Sequence, residues 1–330
     1  MSVRVGILGA GFIGRIHALN LRRDDRVQLV GIADVVPRAA ERLAAEVDTA
    51  ALASLADLLD RGVDAVYVYT PNAQHVEPVV TSLRAGVHVF SEKPMATTLR
   101  GAFEVREAAR RARGVYQLGF NRRFARVYRF LQRLIADGRL TPLLAQMKHN
   151  RGELQQPSWT GDPTVTGGYL YETPVHLFDM GRFLFGDVAE VSGIARQSVY
   201  KELDGFVMLF RFASGVVASV TSVAHTSWFF PYERVEVYGP HQTAVTEELE
   251  RAWFSPGTRA QVEGIDCFQM AFEDKWGYVE EDHRFIDAAL GTAPPAVTAE
   301  DGFRATELVE AVYQAARTGA AVRLPLPEPR

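Results

Sequence analysis

The sequence has 330 residues, of which 47% are hydrophobic, so the chain can bury a large core and is expected to form two domains. Lysine and arginine total 36 against 40 aspartate and glutamate residues, which gives a net charge of -4. This balance lacks the broad positive field that attracts nucleic acid or anionic lipid, and we expect neither as a partner.

The cysteine content and the N-terminus bear on the cellular compartment. Cys267 is the only cysteine, which excludes an intrachain disulfide and a thiolate metal site. The chain begins MSVRVGILGAG, without a charged leader and a long apolar run, and no apolar stretch reaches membrane-spanning length. We therefore expect a cytoplasmic protein, and the sequence gives no reason to expect a metal.

The first third of the chain alternates short apolar runs with helical patterns. The predicted strands are VRVGIL, VQLVGIAD, AVYVYTP, HVFSEKP and VYQLGF, and helices are predicted near residues 13–21, 37–45, 75–83 and 99–111. This alternation is typical of parallel β-α-β units. It predicts an α/β fold with an N-terminal Rossmann domain, a doubly wound parallel sheet, over residues 1–122.

A different order of elements begins near Leu143. GFVMLFRF is followed by three turn residues and then VVASVTSV, a connection suited to antiparallel pairing. Residues 123–330 are therefore expected to form a C-terminal α+β domain for substrate binding and oligomerisation, built on a large open mixed or antiparallel sheet. A helical pattern near residues 305–317 precedes a Pro-rich tail, and this C-terminal segment could pack back on the first domain.

The hairpin also bears on oligomeric state. Four alternate residues of GFVMLFRF make one strongly apolar face, yet Val207 and Leu209 on the other face are apolar too, and only Arg211 is charged. A solvated face should be more polar, so we expect something to cover it. The prediction is a homo-oligomer, a dimer or a tetramer, and the alternative is another segment of the same chain.

The motif GAGFIG follows the first predicted strand and opens a helix. Its glycines allow a tight turn and close approach of a pyrophosphate to the helix N-terminus. Asp34 ends the next strand, where it would accept bonds from the adenosine ribose hydroxyls and favour NAD, whereas Arg38 leaves NADP possible. The cofactor residues predicted here are Gly9, Gly11, Phe12, Ile13, Gly14, Asp34 and Arg38.

Two later strands end on the same edge of the predicted sheet, in TPNAQH and in SEKP. Open α/β folds bind ligands at this edge. Taken alone, a lysine in SEKP would more often be a solvated surface charge, and a histidine in TPNAQH would more often cap a helix or lie on the surface. The cofactor residues predicted here are Thr70, Pro71, Asn72, His75, Glu92 and Lys93.

A third motif, GGYLYETPVHLFDM, brings together Glu172, His176 and Asp179. Thr173 is predicted as an N-cap and Pro174 as part of the first turn, so that HLFDMGRFLF forms a helix. Residues 176 and 179 then share one face, where the carboxylate could orient the imidazole. The alternative is a capped helix whose histidine only packs.

GAGFIG, SEKP and GGYLYETPVHLFDM occur in the order and rough spacing of one family: the chain resembles the Gfo/Idh/MocA oxidoreductases over essentially its whole length. The resemblance implies an NAD(P)-dependent oxidoreductase that transfers a hydride between nicotinamide and a secondary alcohol. It implies that Lys93 contacts the substrate hydroxyl and tunes proton transfer, and that His176 is the acid/base. Glu172, where many members carry Asp, is a further catalytic and substrate-binding candidate.

The substrate class follows from the residues around this motif. NRGELQQPSW supplies Arg151 and Trp159, and Tyr169 lies nearby; many hydroxyls call for paired donors and acceptors, and aromatic faces cover a sugar ring. NRRF follows another strand end and supplies Asn121 toward the cofactor and Arg122 toward the substrate. A sugar, a sugar derivative or a cyclitol is the expected substrate, although a polar loop with an anchoring tryptophan would look similar.

Two other functions stay open. Some members of the resembling family use bound NAD transiently to cleave glycosides, so the cofactor motifs do not separate a dehydrogenase from a glycosidase. A non-catalytic NAD-bound ligand sensor is the third candidate, against which the presence of both Lys93 and His176 argues.

Overall fold

The structure is a computed structural model that describes residues 2–150, 158–227 and 232–329. The chain divides into two compact units. The first comprises Met1–Phe120 and Tyr278–Phe303, and the second comprises Asn121–Gly277 and Arg304–Arg330. The first unit is therefore built from two separate stretches of the chain.

The first unit contains a six-stranded parallel sheet in the order β3-β2-β1-β4-β5-β6. Central strands such as β4 are buried along their whole length, which explains their nearly continuous apolar sequences. The order reverses at β1, as in a Rossmann fold, so the predicted doubly wound sheet is confirmed. The strands are β1 Val3–Leu8, β2 Val27–Ala33, β3 Ala51–Leu52, β4 Ala65–Val68, β5 His88–Glu92 and β6 Tyr116–Gly119.

Helices connect these strands, and those that follow β1, β2, β4 and β5 lie where the sequence predicts them, whereas the short helix after β3 is not predicted. Thr98 caps one of them by accepting the N–H of Gly101 at 3.1 Å, and Ser54 caps another by accepting the N–H of Asp57. Pro37 starts a third, where its missing N–H costs nothing. The helices are α1 Phe12–Arg22, α2 Pro37–Val47, α3 Leu55–Asp60, α4 Val76–Arg84 and α5 Leu99–Arg111.

The second unit is built on a nine-stranded sheet in the order β14-β13-β12-β11-β7-β10-β9-β8-β15. Its strands are β7 Leu144–Asn150, β8 Val188–Arg196, β9 Gly205–Phe212, β10 Val217–Val223, β11 Glu233–Gly239, β12 Gln242–Glu247, β13 Arg251–Ser255, β14 Glu263–Asp266 and β15 Val322–Arg323. The predicted hairpin is the antiparallel pair β9–β10, while β7 and β10 run parallel, so the sheet is mixed.

The helices in the first stretch of this unit, Asn121–Gly277, are α6 Arg126–Ala136, α7 Pro163–Thr166, α8 Tyr169–Glu172, α9 Val175–Phe185 and α10 Phe272–Lys275. Helix α9 covers the apolar face of the sheet: the ring of Phe178 meets that of Phe210 at 5.3 Å, and Phe185 meets Phe212 at 5.2 Å. On the opposite face, Val207 and Leu209 are each 54% exposed. One face of the strand is therefore core and the other is open in the single chain.

Two helices follow, α11 Tyr278–Ala289 and α12 Ala299–Thr318. Helix α11 belongs to the first unit, where Phe285 and Ile286 join the core formed by Val5, Ile32 and Phe90. The sequence pattern predicts the later of these helices and not α11. Across the part of the chain that is described, no helix has both the length and the apolarity needed to span a bilayer.

The prediction that Thr173 caps the helix of the third motif was wrong. Helix α9 begins at Val175 with Pro174 in the cap position. Thr173 instead closes α8, because its backbone N–H lies 3.4 Å from the carbonyl oxygen of Tyr169. A residue that ends one helical turn does not adopt the extended backbone that an N-cap needs.

Candidate functional site

The glycine loop between β1 and α1 has the geometry of a pyrophosphate cradle. Gly9 has a φ of +107°, and a Cβ there would lie 2.5 Å from the carbonyl oxygen of Tyr69. A Cβ on Gly14 would lie 2.2 Å from the carbonyl oxygen of Gly9. A Cβ on Gly11 would meet no protein atom within 4 Å. Gly9 and Gly14 therefore close the turn, and Gly11 leaves open space in front of the helix.

That open space lies at the N-terminus of α1. Gly11 is the cap residue and offers no side chain to the N–H groups of the first turn. Such groups bind anions through their partial positive charge. Phe12, at the start of the helix, is 72% exposed, and Ile13 is half-buried. The residues present therefore fit the diphosphate of a dinucleotide.

Asp34 directly follows β2 beside this loop. One of its carboxylate oxygens accepts the backbone N–H of Ala10, and the other accepts that of Val36, each at 2.7 Å. A carboxylate has about four acceptor positions, so it can also accept bonds from ribose hydroxyls. Arg38 is exposed in the first turn of α2. The structure therefore places Asp34 and the glycine loop side by side, as expected for dinucleotide binding.

His75 joins two loops at the same edge of the sheet. Its buried ring has Nδ1 at 2.7 Å from the carbonyl oxygen of Pro94 and Nε2 at 2.7 Å from that of Thr70. Burial lowers the pKa of His75, while the two carbonyl oxygens that face its ring nitrogens act in the opposite direction. The histidine fixes the loop after β4 against the loop after β5, with Pro71 and Asn72 in between on the chain. The alternative of a surface residue was wrong, because the ring is internal; His75 does occupy the N-cap position of α4, but its side chain makes no cap bond.

The loop after β5 carries Glu92 and Lys93. Glu92 is buried, and its carboxylate accepts the backbone N–H of Lys93 at 2.9 Å. Lys93 itself is half-buried. The acidic residue thus orders the backbone from which the lysine side chain extends.

Asn121 and Arg122 begin the second unit, and both are buried. The amide of Asn121 donates to the carbonyl oxygen of Trp276 at 2.9 Å. The guanidinium of Arg122 pairs with Glu233 at 2.9 Å, and the hydroxyl of Tyr128 donates to the same carboxylate at 2.6 Å. The two residues predicted to reach cofactor and substrate therefore have protein partners of their own.

Glu172, His176 and Asp179 lie where α8 ends and α9 begins. His176 is buried in the first turn of α9, and Glu172 is half-buried at the end of α8. The carboxylate of Asp179 accepts two bonds from Arg123, at 2.8 and 2.6 Å. The sequence had suggested that this carboxylate orients His176, and Arg123 was not considered as its partner.

The remaining predicted substrate residues differ in their surroundings. Tyr169 is fully buried, and its hydroxyl lies 2.8 Å from that of Ser222. Trp159 is 39% exposed in a short helical turn. Arg151 lies outside the described residues. Sequence reasoning also missed Glu233 and Tyr128, whose roles follow only from the pairing of distant segments.

Comparison with known proteins agrees with this arrangement. Residues 3–120 match the Gfo/Idh/MocA family model described as "Oxidoreductase family, NAD-binding Rossmann fold", and residues 132–324 match the companion model, "Oxidoreductase family, C-terminal alpha/beta domain". Myo-inositol 2-dehydrogenase of Thermotoga maritima is 28% identical over 98% of this chain and 98% of its own length. 1,5-Anhydro-D-fructose reductase of Ensifer adhaerens is 30% identical over 97% and 98%.

Among solved structures, levoglucosan dehydrogenase in complex with NADH superposes with a TM-score of 0.91 over 98% of this chain and 100% of that one. The identity is 19%, so this likeness concerns the fold. The glycine loop and the acid after β2 suit a dinucleotide, and the family match over residues 3–120 identifies it as NAD. The chain is therefore an NAD-binding oxidoreductase and belongs to the Gfo/Idh/MocA family.

Proposed function

We propose that this protein transfers a hydride between NAD and a secondary alcohol carbon of a sugar, a sugar derivative or a cyclitol. The observation that carries the proposal is the loop after β5: Lys93 stands at the carboxyl edge of a dinucleotide-binding sheet, on a backbone fixed by Glu92. We assign cofactor binding to the first unit and substrate binding to the second.

The substrate class is supported by the relatives. The Thermotoga maritima and Ensifer adhaerens proteins are named for a cyclitol and an anhydro sugar, and each aligns with nearly the whole of this chain. Both names refer to polyhydroxylated rings. A ring of this kind offers secondary alcohols for oxidation and several hydroxyls for recognition.

The chemistry is divided between the cofactor and two side chains. The nicotinamide, when bound, supplies the hydride acceptor or donor. In our proposal the ammonium of Lys93 contacts the reacting hydroxyl and favours its alkoxide form, because a nearby positive charge stabilises developing negative charge. His176 takes the hydroxyl proton during oxidation and returns it during reduction, since imidazole changes protonation state near neutral pH.

Two of the predicted substrate residues are left out of the proposed site. The guanidinium of Arg122 is held by Glu233, and the hydroxyl of Tyr169 is held inside the second unit by Ser222. Trp159 and Glu172, which are partly exposed, remain in the proposal together with His176.

The function is tested by following NADH formation with myo-inositol, aldoses, aldonates and 1,5-anhydro sugars. Lys93→Met and His176→Ala should each lower kcat by about two to four powers of ten while the Kd for NADH changes less than about threefold. Lys201→Met, at an exposed lysine, is the control and should behave as wild type. Near-normal turnover in both site variants would contradict the assignment.

The same assay separates the glycosidase alternative. A dehydrogenase accumulates NADH with a plain polyol, whereas a redox-assisted glycosidase releases the aglycone of a nitrophenyl glycoside without net NADH. Release of nitrophenol with no NADH from any free polyol would replace our proposal with that alternative.

We further propose that the protein is a homo-oligomer joined through the open face of the nine-stranded sheet. Ile194, Val207 and Leu209 lie on this face, where residue 194 pairs with 207 across β8 and β9, and all three are more than half exposed in the single chain. Contiguous apolar side chains on a sheet face are typical of a subunit contact.

A further inference from the structure

A buried charged cluster lies behind the cofactor edge of the first unit. His17, on α1, has no exposed surface, and its Nδ1 lies 2.6 Å from Oδ1 of Asp282 on α11. Asn20, one turn later on α1, donates to the other oxygen of Asp282 at 3.1 Å. Because both carboxylate oxygens are engaged by α1, the imidazole has a fixed orientation with Nδ1 toward Asp282.

Aromatic rings hold the imidazole in place from the other sides. Tyr69 stacks on it with ring centroids 4.9 Å apart, Phe90 packs at 5.3 Å, and the edge of Tyr278 lies at 5.4 Å. A ring packed in this way cannot turn without moving these three neighbours. Its Nε2 therefore faces one constant direction.

The cluster is rich in negative charge. Asp282, Glu281 and Glu92 all face His17 from α11 and β5, and all three are buried. Burial alone would lower the pKa of His17, but the carboxylate of Asp282, with smaller contributions from Glu92 and Glu281, raises it to about 10. The imidazole is therefore a cation at neutral pH, and it balances carboxylates that are costly to bury unpaired.

The second nitrogen of this cation points toward Glu92. Nε2 lies 3.8 Å from Oε1 of Glu92, and among the described residues it has no hydrogen-bond partner. The other oxygen of Glu92 accepts the backbone N–H of Lys93. One carboxylate thus lies between the His17 cation and the backbone of the proposed catalytic lysine.

We propose that His17 is a positioning residue for the nicotinamide end of the cofactor site, acting by holding Glu92 and, through it, the Lys93 backbone. The proposal rests on NAD binding and, for Lys93, on the proposed function. The nicotinamide end is assigned by elimination within the sheet. The glycine loop follows β1 and Asp34 follows β2, so the pyrophosphate and the adenosine ribose are assigned to that half. The half formed by β4 to β6 is left for the nicotinamide nucleotide.

The test compares two ligands that differ at this end. ADP-ribose lacks the nicotinamide, so the ratio of its Kd to that of NADH reports on the nicotinamide contacts alone. His17→Asn removes the cation but keeps a donor near Asp282. We expect its Kd for NADH to rise at least about fivefold while its Kd for ADP-ribose stays within about twofold of wild type.

A matched control separates positioning from the docking of α11. Arg26 also binds α11, through Asp287 at 2.6 Å, yet no contact joins it to Glu92 in the part of the chain described. Arg26→Gln should weaken neither ligand. The proposal would be overturned if His17→Asn weakened the binding of both ligands equally or kept the wild-type ratio of their Kd values. It would also be overturned if Arg26→Gln changed that ratio as much as His17→Asn does.

If His17→Asn does not fold, the same measurements are made on Asp282→Asn, which leaves the ring in place and removes the charge that keeps it protonated. The same selective loss of NADH affinity is expected, and its absence counts against the proposal. These are binding measurements and do not depend on turnover. If the wild-type protein oxidised no polyol, the proposed substrate class would be wrong, but the result for His17 would still hold.

Discussion

Asp34 accepts the backbone N–H of Ala10 at 2.7 Å, so the acid that follows β2 is bonded to the glycine loop that follows β1. The carboxylate of Asp34 therefore has two roles. It fixes the loop that approaches the pyrophosphate, and it presents negative charge where a ribose phosphate of NADP would lie.

Replacing Asp34 should therefore weaken the cofactor and alter its choice. In Asp34→Asn the amide accepts through one atom only, so we expect the Kd for NADH to rise by about tenfold. The ratio of the Kd for NADPH to the Kd for NADH should fall by a similar factor, because the variant no longer repels the 2′-phosphate of NADPH. Fluorescence titration with both cofactors measures this. A wild-type preference for NADPH would instead make Arg38 the dominant residue.

The glycine loop offers a pair of matched substitutions. Gly11→Ala places a methyl group in open space, so the unfolding free energy should change by less than about 1 kcal/mol while NADH binding weakens at least about tenfold. Gly14→Ala, whose Cβ would press on the carbonyl of Gly9, should lower the unfolding free energy by about 1–3 kcal/mol. Urea unfolding and NADH titration distinguish the two. Normal binding by Gly11→Ala would argue against a pyrophosphate at this position.

Glu248 should make the unfolding free energy depend on pH. Burial, with the nearby Glu233 carboxylate, raises its pKa to about 7 from an ordinary value of 4.5. Because the folded-state pKa is the higher one, its stabilising contribution is complete below pH 4.5 and is lost as pH rises through about 7. The loss should be about 1 kcal/mol, since the carboxyl is only partly buried. The side chain stays neutral in Glu248→Gln. The unfolding free energy of this variant, measured with urea, should therefore vary less between pH 5 and 8.

The open sheet face leads to a prediction about mass in solution. Light scattering at micromolar concentration should give a multiple of the 36.6 kDa chain mass. The double variant Val207→Glu/Leu209→Glu places two charges on that face and should dissociate the assembly. Val199→Glu changes an exposed valine outside the strands and should leave the mass unchanged. A wild-type mass of one chain would rule out the oligomer.

The parts of the fold that the sequence predicted are those determined by neighbouring residues. The Rossmann strands other than the two-residue β3, and helices α1, α2, α4 and α5, follow from apolar periodicity and from local caps such as Thr98. The pairing of Arg123 with Asp179, and of Arg122 with Glu233, joins segments 56 and 111 residues apart, and no local pattern indicates it. Helix α11 was missed for a related reason: its Glu281 and Asp282 look like a solvated acidic face, although both are buried against the first unit.

The link between His17 and Asp282 spans 265 residues, and this distance bears on the order in which the protein can mature during translation. The glycine loop and all six parallel strands leave the ribosome long before α11 is made. Until then His17 lacks the carboxylate of Asp282, and the core lacks Phe285 and Ile286. A nascent chain that has released only the first 120 residues therefore holds an incomplete domain, which is completed only after α11, ending at Ala289, has left the ribosome.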